Sequence, residues 1–224
     1  MGARVAVMAG GTGGHVFPAL AVAELLRGQG MEVFWIGTRR GLEARLVPAR
    51  GFGMEWISIE GLRGKGIGQL IAAPWRLLVA LREAVAVLRG RRPSVVLGMG
   101  GFVSGPGGLA ARAMGLPLVI HEQNQVPGLT NQWLSRIANR VFQAFPGSFP
   151  AARGAMTCGN PVRPEIAAVP APAERLAGRV GARRLLVVGG SLGAQALNET
   201  VAPAIARLSA AMRPTIRHQA GERT

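Results

Sequence analysis

Histidine is the side chain whose ordinary titration lies near neutral pH, and this sequence holds three of them, His15, His121 and His218. His15 closes the run GGTGGH at Gly10–His15. A histidine between a strand and a helix, at the mouth of a sheet where ligands bind, is suited to accept a proton; a histidine that caps or packs the turn is the competing reading. Two more glycine-rich runs follow, GMGGFVSGPGG at Gly98–Gly108 and GGSLGA at Gly189–Ala194. Each of the three comes after a short apolar run (Val5–Ala9, Val95–Leu97, Leu185–Val188) and before an Ala/Leu-rich stretch with helical spacing. A strand, a tight glycine turn and a helix start leave backbone N–H groups and the positive helix end facing outward, which suits a phosphate. Three such turns imply a ligand with more than one phosphate, or two phosphorylated ligands.

Other side chains could join that chemistry. In His121-Glu122-Gln123-Asn124, Asn124 is the better ligand candidate, because its amide both donates and accepts and can read a sugar or base edge. His121 reads as structural through its neighbours, and Glu122 fits a ligand contact or, equally, a satisfied carboxylate bracing the loop. Arg163, ending Gly159-Asn160-Pro161-Val162-Arg163, carries a guanidinium suited to a diphosphate. Ser191 offers a hydroxyl and a backbone N–H at a helix start, where a simple N-cap is the alternative. Between Arg63 and Arg82, Lys65, Ile71, Trp75, Arg76 and Leu78 combine apolar residues with cations. That mixture fits docking on an anionic bilayer surface; a core helix with solvent-facing charges fits it equally.

Several function classes are excluded or disfavoured. A dinucleotide fingerprint needs G-x-G-x-x-G and an acid ending the second strand, but from Gly11 the pattern reaches Val16, and the second strand ends in Gly37-Thr38-Arg39. Gly105–Ala110 fits G-x-G-x-x-A only as a Pro–Gly-rich stretch easily does, so a nucleotide-dependent dehydrogenase is a third, weaker option. No G-x-x-x-x-G-K-[ST] occurs, so a P-loop is absent as written. Aspartate is missing altogether, which removes Asp-x-Asp metal–nucleotide sites and Asp-based kinase chemistry. No metal or cofactor is called for. The net charge of +15 is carried by arginine except at Lys65; coding bias and an anionic partner both account for it. No basic run is interleaved with stacking aromatics, which argues against nucleic acid. One cysteine, Cys158, cannot form an intrachain disulfide, and a reducing compartment fits. Met1–Gly11 lacks the apolar core of a signal peptide. Ile67–Leu88 is interrupted by Pro74, Arg76, Arg82 and Glu83 and falls short of a membrane span.

The elements that must position these residues follow from periodicity. Strands are predicted at Val5–Ala9, Glu32–Ile36, Met54–Ile57, Ser94–Leu97 and Leu118–His121, and helices at Phe17–Gly28, Glu43–Ala49, Ile67–Arg89 and Pro106–Met114. Short strands alternating with helices point to an α/β fold, a parallel sheet covered on both faces. The prolines at 161, 164, 170 and 172 among alanines mark a linker. The rhythm restarts with a strand at Arg184–Val188, a helix at Ala194–Ala210 and a strand at Thr215–Gln219. The expected division is an N-terminal domain at 1–163, a linker at 164–182 and the start of a second domain at 183–224. A lone βαβ unit cannot cover both faces of its sheet, so the second domain reads as incomplete.

The strings GGTGGHVFPALAVAELL, GMGGFVSGPGGLAARAMGLPLVIHEQNQVPGLTNQWLSRIA, GNPVR, GGSLGAQALN and HQAG span nearly the whole chain in order. In these strings the chain resembles the MurG family, bacterial transferases that move GlcNAc from UDP-GlcNAc to undecaprenyl-diphosphate-linked MurNAc-pentapeptide (lipid I), forming lipid II for peptidoglycan synthesis. The resemblance implies a GT-B fold, two Rossmann-like domains with parallel sheets and the site in the cleft between them. It implies donor contacts from Thr12, Gly13, Gly14, Asn124, Arg163 and Ser191, and a base at His15. It also implies an acceptor-diphosphate loop around Gly100, Gly101, Ser104 and Gly105. Phe102 stands where some members have tyrosine. Peripheral attachment to the cytoplasmic face of the inner membrane is implied as well. Family members run well past residue 224, so a chain ending there is expected to be inactive alone. A non-catalytic, membrane-associated module that binds a lipid diphosphate is the alternative for a chain that naturally stops there.

Overall fold

The computed structural model describes residues 2–59, 67–190 and 193–221. It divides into two compact units, Met1–Ala168 and Val169–Thr224.

The first unit is built on a parallel sheet. β1 (Arg4–Met8), β2 (Glu32–Gly37) and β3 (Gly53–Trp56) lie to one side; β4 (Val95–Gly98), β5 (Leu118–Glu122), β6 (Arg140–Gln143) and β7 (Met156–Thr157) lie to the other. The order is β3-β2-β1-β4-β5-β6-β7, with every pairing parallel. The chain direction across the sheet reverses between β1 and β4, where Met8 stands opposite Gly98. At such a switch point the loops after the two strands run apart and open a crevice at their carboxyl ends.

Both faces are covered, as the alternation in β1 requires. Val5, Val7 and Ala9 pack under α1 (Gly13–Gly28) and α2 (Glu43–Ala49), together with Val16, Ala19, Ala23, Trp35 and Val47. Ala6 and Met8 point the other way, into the core shared by α3 (Ile67–Arg91), α4 (Ser104–Ala113) and α5 (Leu129–Leu134). α3 buries Ala80, Ala84 and Leu88, one residue per turn. The buried Trp35 indole donates to the Ala9 carbonyl at 2.9 Å, pinning the end of β1 to β2.

The predicted strands and helices up to β5 are all present, with ends displaced by a few residues. Two differences matter. α1 begins at Gly13 rather than Phe17, because Thr12 takes the extended N-cap conformation and glycine is tolerated in a first turn, where half the hydrogen bonds are absent anyway. α4 begins at Ser104 rather than Pro106. No element was expected between His121 and Pro161, and the structure supplies α5, β6 and β7 there. These pieces of two to six residues are too short to show a period. After β7 the unit closes with α6 (Pro164–Ala167).

The second unit holds α7 (Pro172–Leu176), β8 (Arg184–Val188), α8 (Gln195–Ala206) and β9 (Thr215–Gln219). β8 and β9 pair in parallel, from Arg184 opposite Thr215 to Val188 opposite Gln219. Leu186 and Val188 are exposed on this two-stranded sheet, as expected of a single βαβ unit.

α4 lies against the sheet because its first turns carry almost no side chain. A Cβ at Gly107 would sit 2.1 Å from Met8 Sδ, and one at Gly108 would sit 2.7 Å from Leu134 Cδ2. Glycine to alanine inside a helix ordinarily stabilises by up to ~1 kcal/mol. Here Gly107→Ala is expected to destabilise the chain by about 1–3 kcal/mol through overpacking, read as a lower urea midpoint; a raised midpoint would show that α4 can back away freely.

Candidate functional site

The crevice is made by three consecutive features: the turn after β1, the turn after β4, and the segment after β5. The first two turns touch. Gly100 and Gly101 have φ of +98° and +80°, and a Cβ at Gly101 would meet the Gly10 carbonyl oxygen at 2.3 Å. Both the left-handed backbone and the close approach restrict these positions to glycine.

Two buried carboxylates hold the turns in shape. Glu43, on the first turn of α2 and fully buried, accepts from the Gly11 N–H at 3.1 Å, the Thr38 N–H at 3.0 Å and the Thr38 hydroxyl at 2.8 Å. It thereby ties the loop after β1 to the loop after β2. Glu122, also fully buried, accepts from the N–H and side-chain amide of Asn124, both at 2.9 Å, from Gly128 N–H at 3.1 Å and from Asn131 Nδ2 at 3.0 Å. Four donors on one carboxylate order residues 123–128, the bracing one of the two roles open to Glu122.

The candidate residues fall as follows. Thr12 is the exposed N-cap of α1 with no side-chain cap bond, and Gly13 and Gly14 follow as the first helical residues. Their N–H groups belong to the turn that no intrahelical acceptor satisfies. His15 is half-buried, and its Nδ1 lies 3.0 Å from Gln123 Oε1. A Cβ at Gly100 would come within 2.6 Å of that same Nδ1, so the imidazole rests on the second glycine turn. Asn124 is exposed; its amide nitrogen is held by Glu122, so Oδ1 is the atom it presents. The Arg163 guanidinium lies 5.1 Å from the ring centroid of Phe17, on the first turns of α1. Thr12, Gly13, Gly14, His15 and Arg163 thus gather around the start of one helix, with Gly100 and Gln123 meeting His15 from the other strands.

Ser104 behaves differently from a ligand-facing hydroxyl. It is fully buried and turns its Oγ to the carbonyls of Met8 at 3.0 Å and Gly100 at 2.9 Å. Its side chain braces the second turn from beneath. Gly105 donates its N–H to the Phe102 carbonyl. Ser191 lies outside the described residues, in the third glycine turn. There Gly193 has φ of +77° and would press a Cβ into the Ala220 carbonyl.

Of the surface-patch residues, Lys65 lies outside the described residues and Ile71 is described only as part of α3. Trp75, Arg76, Leu77 and Leu78 form a continuous exposed run on that helix. Beside them is a cavity of about 460 Å³ lined by Arg39, Arg40, Trp56, Trp75 and Arg76, among others. The Arg39 guanidinium sits 5.3 Å from the Trp56 ring centroid. Among the described residues no group of three or more His, Cys, Asp or Glu side chains could hold a metal ion, and no helix is long and apolar enough to cross a membrane.

Glu43 and Gln123 escaped sequence reasoning. Glu43 stands 32 residues from Gly11 with no motif around it. Gln123 lies within the cluster His121–Asn124 without a role assigned to it, and nothing in its neighbours shows that it reaches a histidine 108 residues away.

A parallel sheet with glycine turns flanking its switch point and a histidine between them defines a Rossmann-like α/β domain. Residues 5–143 match the glycosyltransferase family 28 N-terminal domain, and the chain belongs to that family. A UDP-N-acetylglucosamine–N-acetylmuramyl-(pentapeptide) pyrophosphoryl-undecaprenol N-acetylglucosamine transferase from Methylococcus capsulatus is 57% identical over 99% of this chain. One of the same name from Alkalilimnicola ehrlichii is 60% identical over 98%. In each case the chain spans 61% of the relative's length. The crystal structure of Acinetobacter baumannii MurG aligns with a TM-score of 0.75 at 42% identity, over 98% of this chain and 61% of that one. The calicheamicin glycosyltransferase CalG4 shares the fold at 18% identity, with a TM-score of 0.62 over 98% of this chain and 71% of its own.

Burial holds the His121 imidazole below its ordinary value of 6.5, against the opposing pull of the Gly159 carbonyl and the Glu122 charge. A histidine kept neutral in the fold lets the unfolded chain bind more protons, so stability falls with pH once pH drops below about 6.5. The urea midpoint is therefore expected to decline between about pH 7.5 and about pH 5.5, and to decline less in His121→Gln. An equal or steeper decline in that variant would contradict the assignment.

Proposed function

We propose that the protein is the acceptor-side portion of an inverting N-acetylglucosaminyltransferase, moving GlcNAc from UDP-GlcNAc to the 4-hydroxyl of the MurNAc unit in lipid I to form lipid II for the cell wall. The observation that carries this reading is the placement of His15, an imidazole on the first turn of α1, seated on the Gly100 backbone and held by Gln123. The names of relatives at 57% and 60% identity supply the substrates.

In this mechanism the acceptor oxygen attacks the anomeric carbon as its proton passes to His15. The bond from that carbon to the diphosphate oxygen breaks, and UDP leaves with the bonding pair. Thr12, Gly13 and Gly14 contribute helix-start N–H groups toward the donor, Asn124 its Oδ1, and Arg163 a guanidinium toward the diphosphate. Ser191 is assigned to the donor by motif. The turn at Gly100 and Gly101 shapes the acceptor side, with Gly105 behind it. The fixed donors lower the cost of charge developing on the leaving diphosphate, as an oxyanion site does. No cofactor or metal enters these steps. Exposed Trp75, Arg76 and Leu78, with the arginine- and tryptophan-lined cavity beside them, fit peripheral attachment to an anionic membrane on its cytoplasmic face, with Lys65 and Ile71 in the same stretch of sequence.

Two experiments test the reading. In a chimera that continues residue 224 with the remaining part of the Methylococcus capsulatus relative, transfer to a lipid I analogue is expected. His15→Ala should lower kcat by about 10²–10⁴-fold while KM for UDP-GlcNAc stays within a few-fold. Near-normal turnover in that variant would remove the base assignment, and no transfer in the parent chimera, with lipid diphosphate still bound, would favour the binding module. For the membrane, Trp75→Ser combined with Arg76→Glu should weaken binding to anionic vesicles at least about fivefold, from ~1 kcal/mol per basic residue. Unchanged sedimentation would place the contact elsewhere.

A further inference from the structure

The side chains of His15, Gln123 and His121 form a chain whose far end is a backbone carbonyl. His121 Nε2 lies 3.0 Å from the Gly159 carbonyl oxygen. A carbonyl can only accept, so Nε2 carries the hydrogen. Burial disfavours the charged form of His121, and in the neutral ring its Nδ1 is a bare lone pair. The Gln123 amide nitrogen faces that lone pair at 3.1 Å and the His121 carbonyl oxygen at 3.2 Å, two acceptors on one side. The NH2 group is thereby fixed toward His121, and the opposite atom, Oε1, lies 3.0 Å from His15 Nδ1. An amide oxygen only accepts, so the hydrogen of His15 is on Nδ1 and its lone pair is on Nε2.

The backbones on both sides of this chain are anchored. Asn160 Nδ2 donates to the Gln123 carbonyl at 3.1 Å, and Asn131 Nδ2 to the His121 carbonyl at 3.1 Å. Gly100, packed against His15 Nδ1, leaves no room for a Cβ. A free imidazole prefers its proton on Nε2, so the tautomer that these partners call for has to be imposed.

We propose that Gln123 is a positioning residue that sets the tautomer of His15, relaying the polarity of the Gly159 carbonyl through His121 so that His15 Nε2 is kept as the proton acceptor. This rests on His15 being the base of the proposed transfer. Gln123 touches no reacting atom. Its contribution is to keep the imidazole from spending its population in a form whose outward nitrogen already holds a proton.

The test is ring 15N NMR of the 224-residue chain, whose three histidines are assigned by substitution and observed at a pH where the rings are neutral. The pyridine-like resonance is expected at Nε2 of His15 and at Nδ1 of His121; the pyridine-like resonance at Nδ1 of His15 would overturn the proposal. Gln123→Leu removes the acceptor, and His15 should shift toward the solution tautomer. Gln123→Glu keeps an acceptor at the same place and should retain the bare Nε2. Identical His15 spectra in the Leu variant and the wild type would also overturn it. Should the Leu variant fail to fold, the wild-type and Glu spectra still decide. In the chimera, Gln123→Leu should lower kcat about tenfold or more, part of the ~10²–10⁴-fold a positioned base supplies, with the KM for UDP-GlcNAc changed less than about twofold. Transfer accompanied by the opposite tautomer overturns the relay alone. The expected tautomer without any transfer overturns the transferase reading and leaves the relay standing.

Discussion

A Cβ on Gly101 would lie 2.3 Å from the carbonyl oxygen of Gly10, and the site depends on that contact. Two strand-to-helix turns meet there without side chains between them, because β1 and β4 are neighbours whose loops diverge at the switch point of the sheet. Once the turns touch, the Gly100 backbone becomes a platform, and the His15 ring from α1 comes to rest on it. Backbone groups brought this close must be satisfied, or the crevice would carry a desolvation cost of a few kcal/mol per unpaired group. Glu43 and Glu122 help meet that requirement, each fully buried, Glu43 accepting from the loops after β1 and β2 and Glu122 from the stretch 124–131 that follows it. A buried carboxylate spent on several N–H groups gains charge-assisted bonds that help offset its own desolvation.

Much of the first unit was legible in the sequence. Val5–Ala9 alternates sides as a strand buried on both faces must, and the glycine turns mark where strands hand over to helices. The strings shared with the MurG family carry the ordering of those turns. Other parts were hidden for identifiable reasons. Gly13 and Gly14 are poor helix formers by propensity, yet they open α1 because the first turn asks little of them. Ser104 looks like a phosphate-facing hydroxyl in a glycine loop, but the close packing of α4 turns it inward to two carbonyls. Glu43 braces a loop 32 residues away, and a single sequence holds no sign of such a bond.

The two units carry different shares of the chemistry. The first holds the imidazole, the helix-start N–H groups and an arginine- and tryptophan-lined cavity beside an exposed run on α3. The second holds the third glycine turn on a two-stranded sheet with exposed Leu186 and Val188. The chain spans 61% of the length of these relatives.

The proposed transfer, with His15 as base, is a single direct displacement, which inverts the configuration at the sugar carbon. The configuration of the new bond reports this most directly. When UDP-GlcNAc, whose sugar is α-linked, is given to the chimera with a lipid I analogue, the proton NMR coupling at the transferred anomeric centre should be that of a β linkage. An α-linked product would mean retention of configuration and would contradict the account.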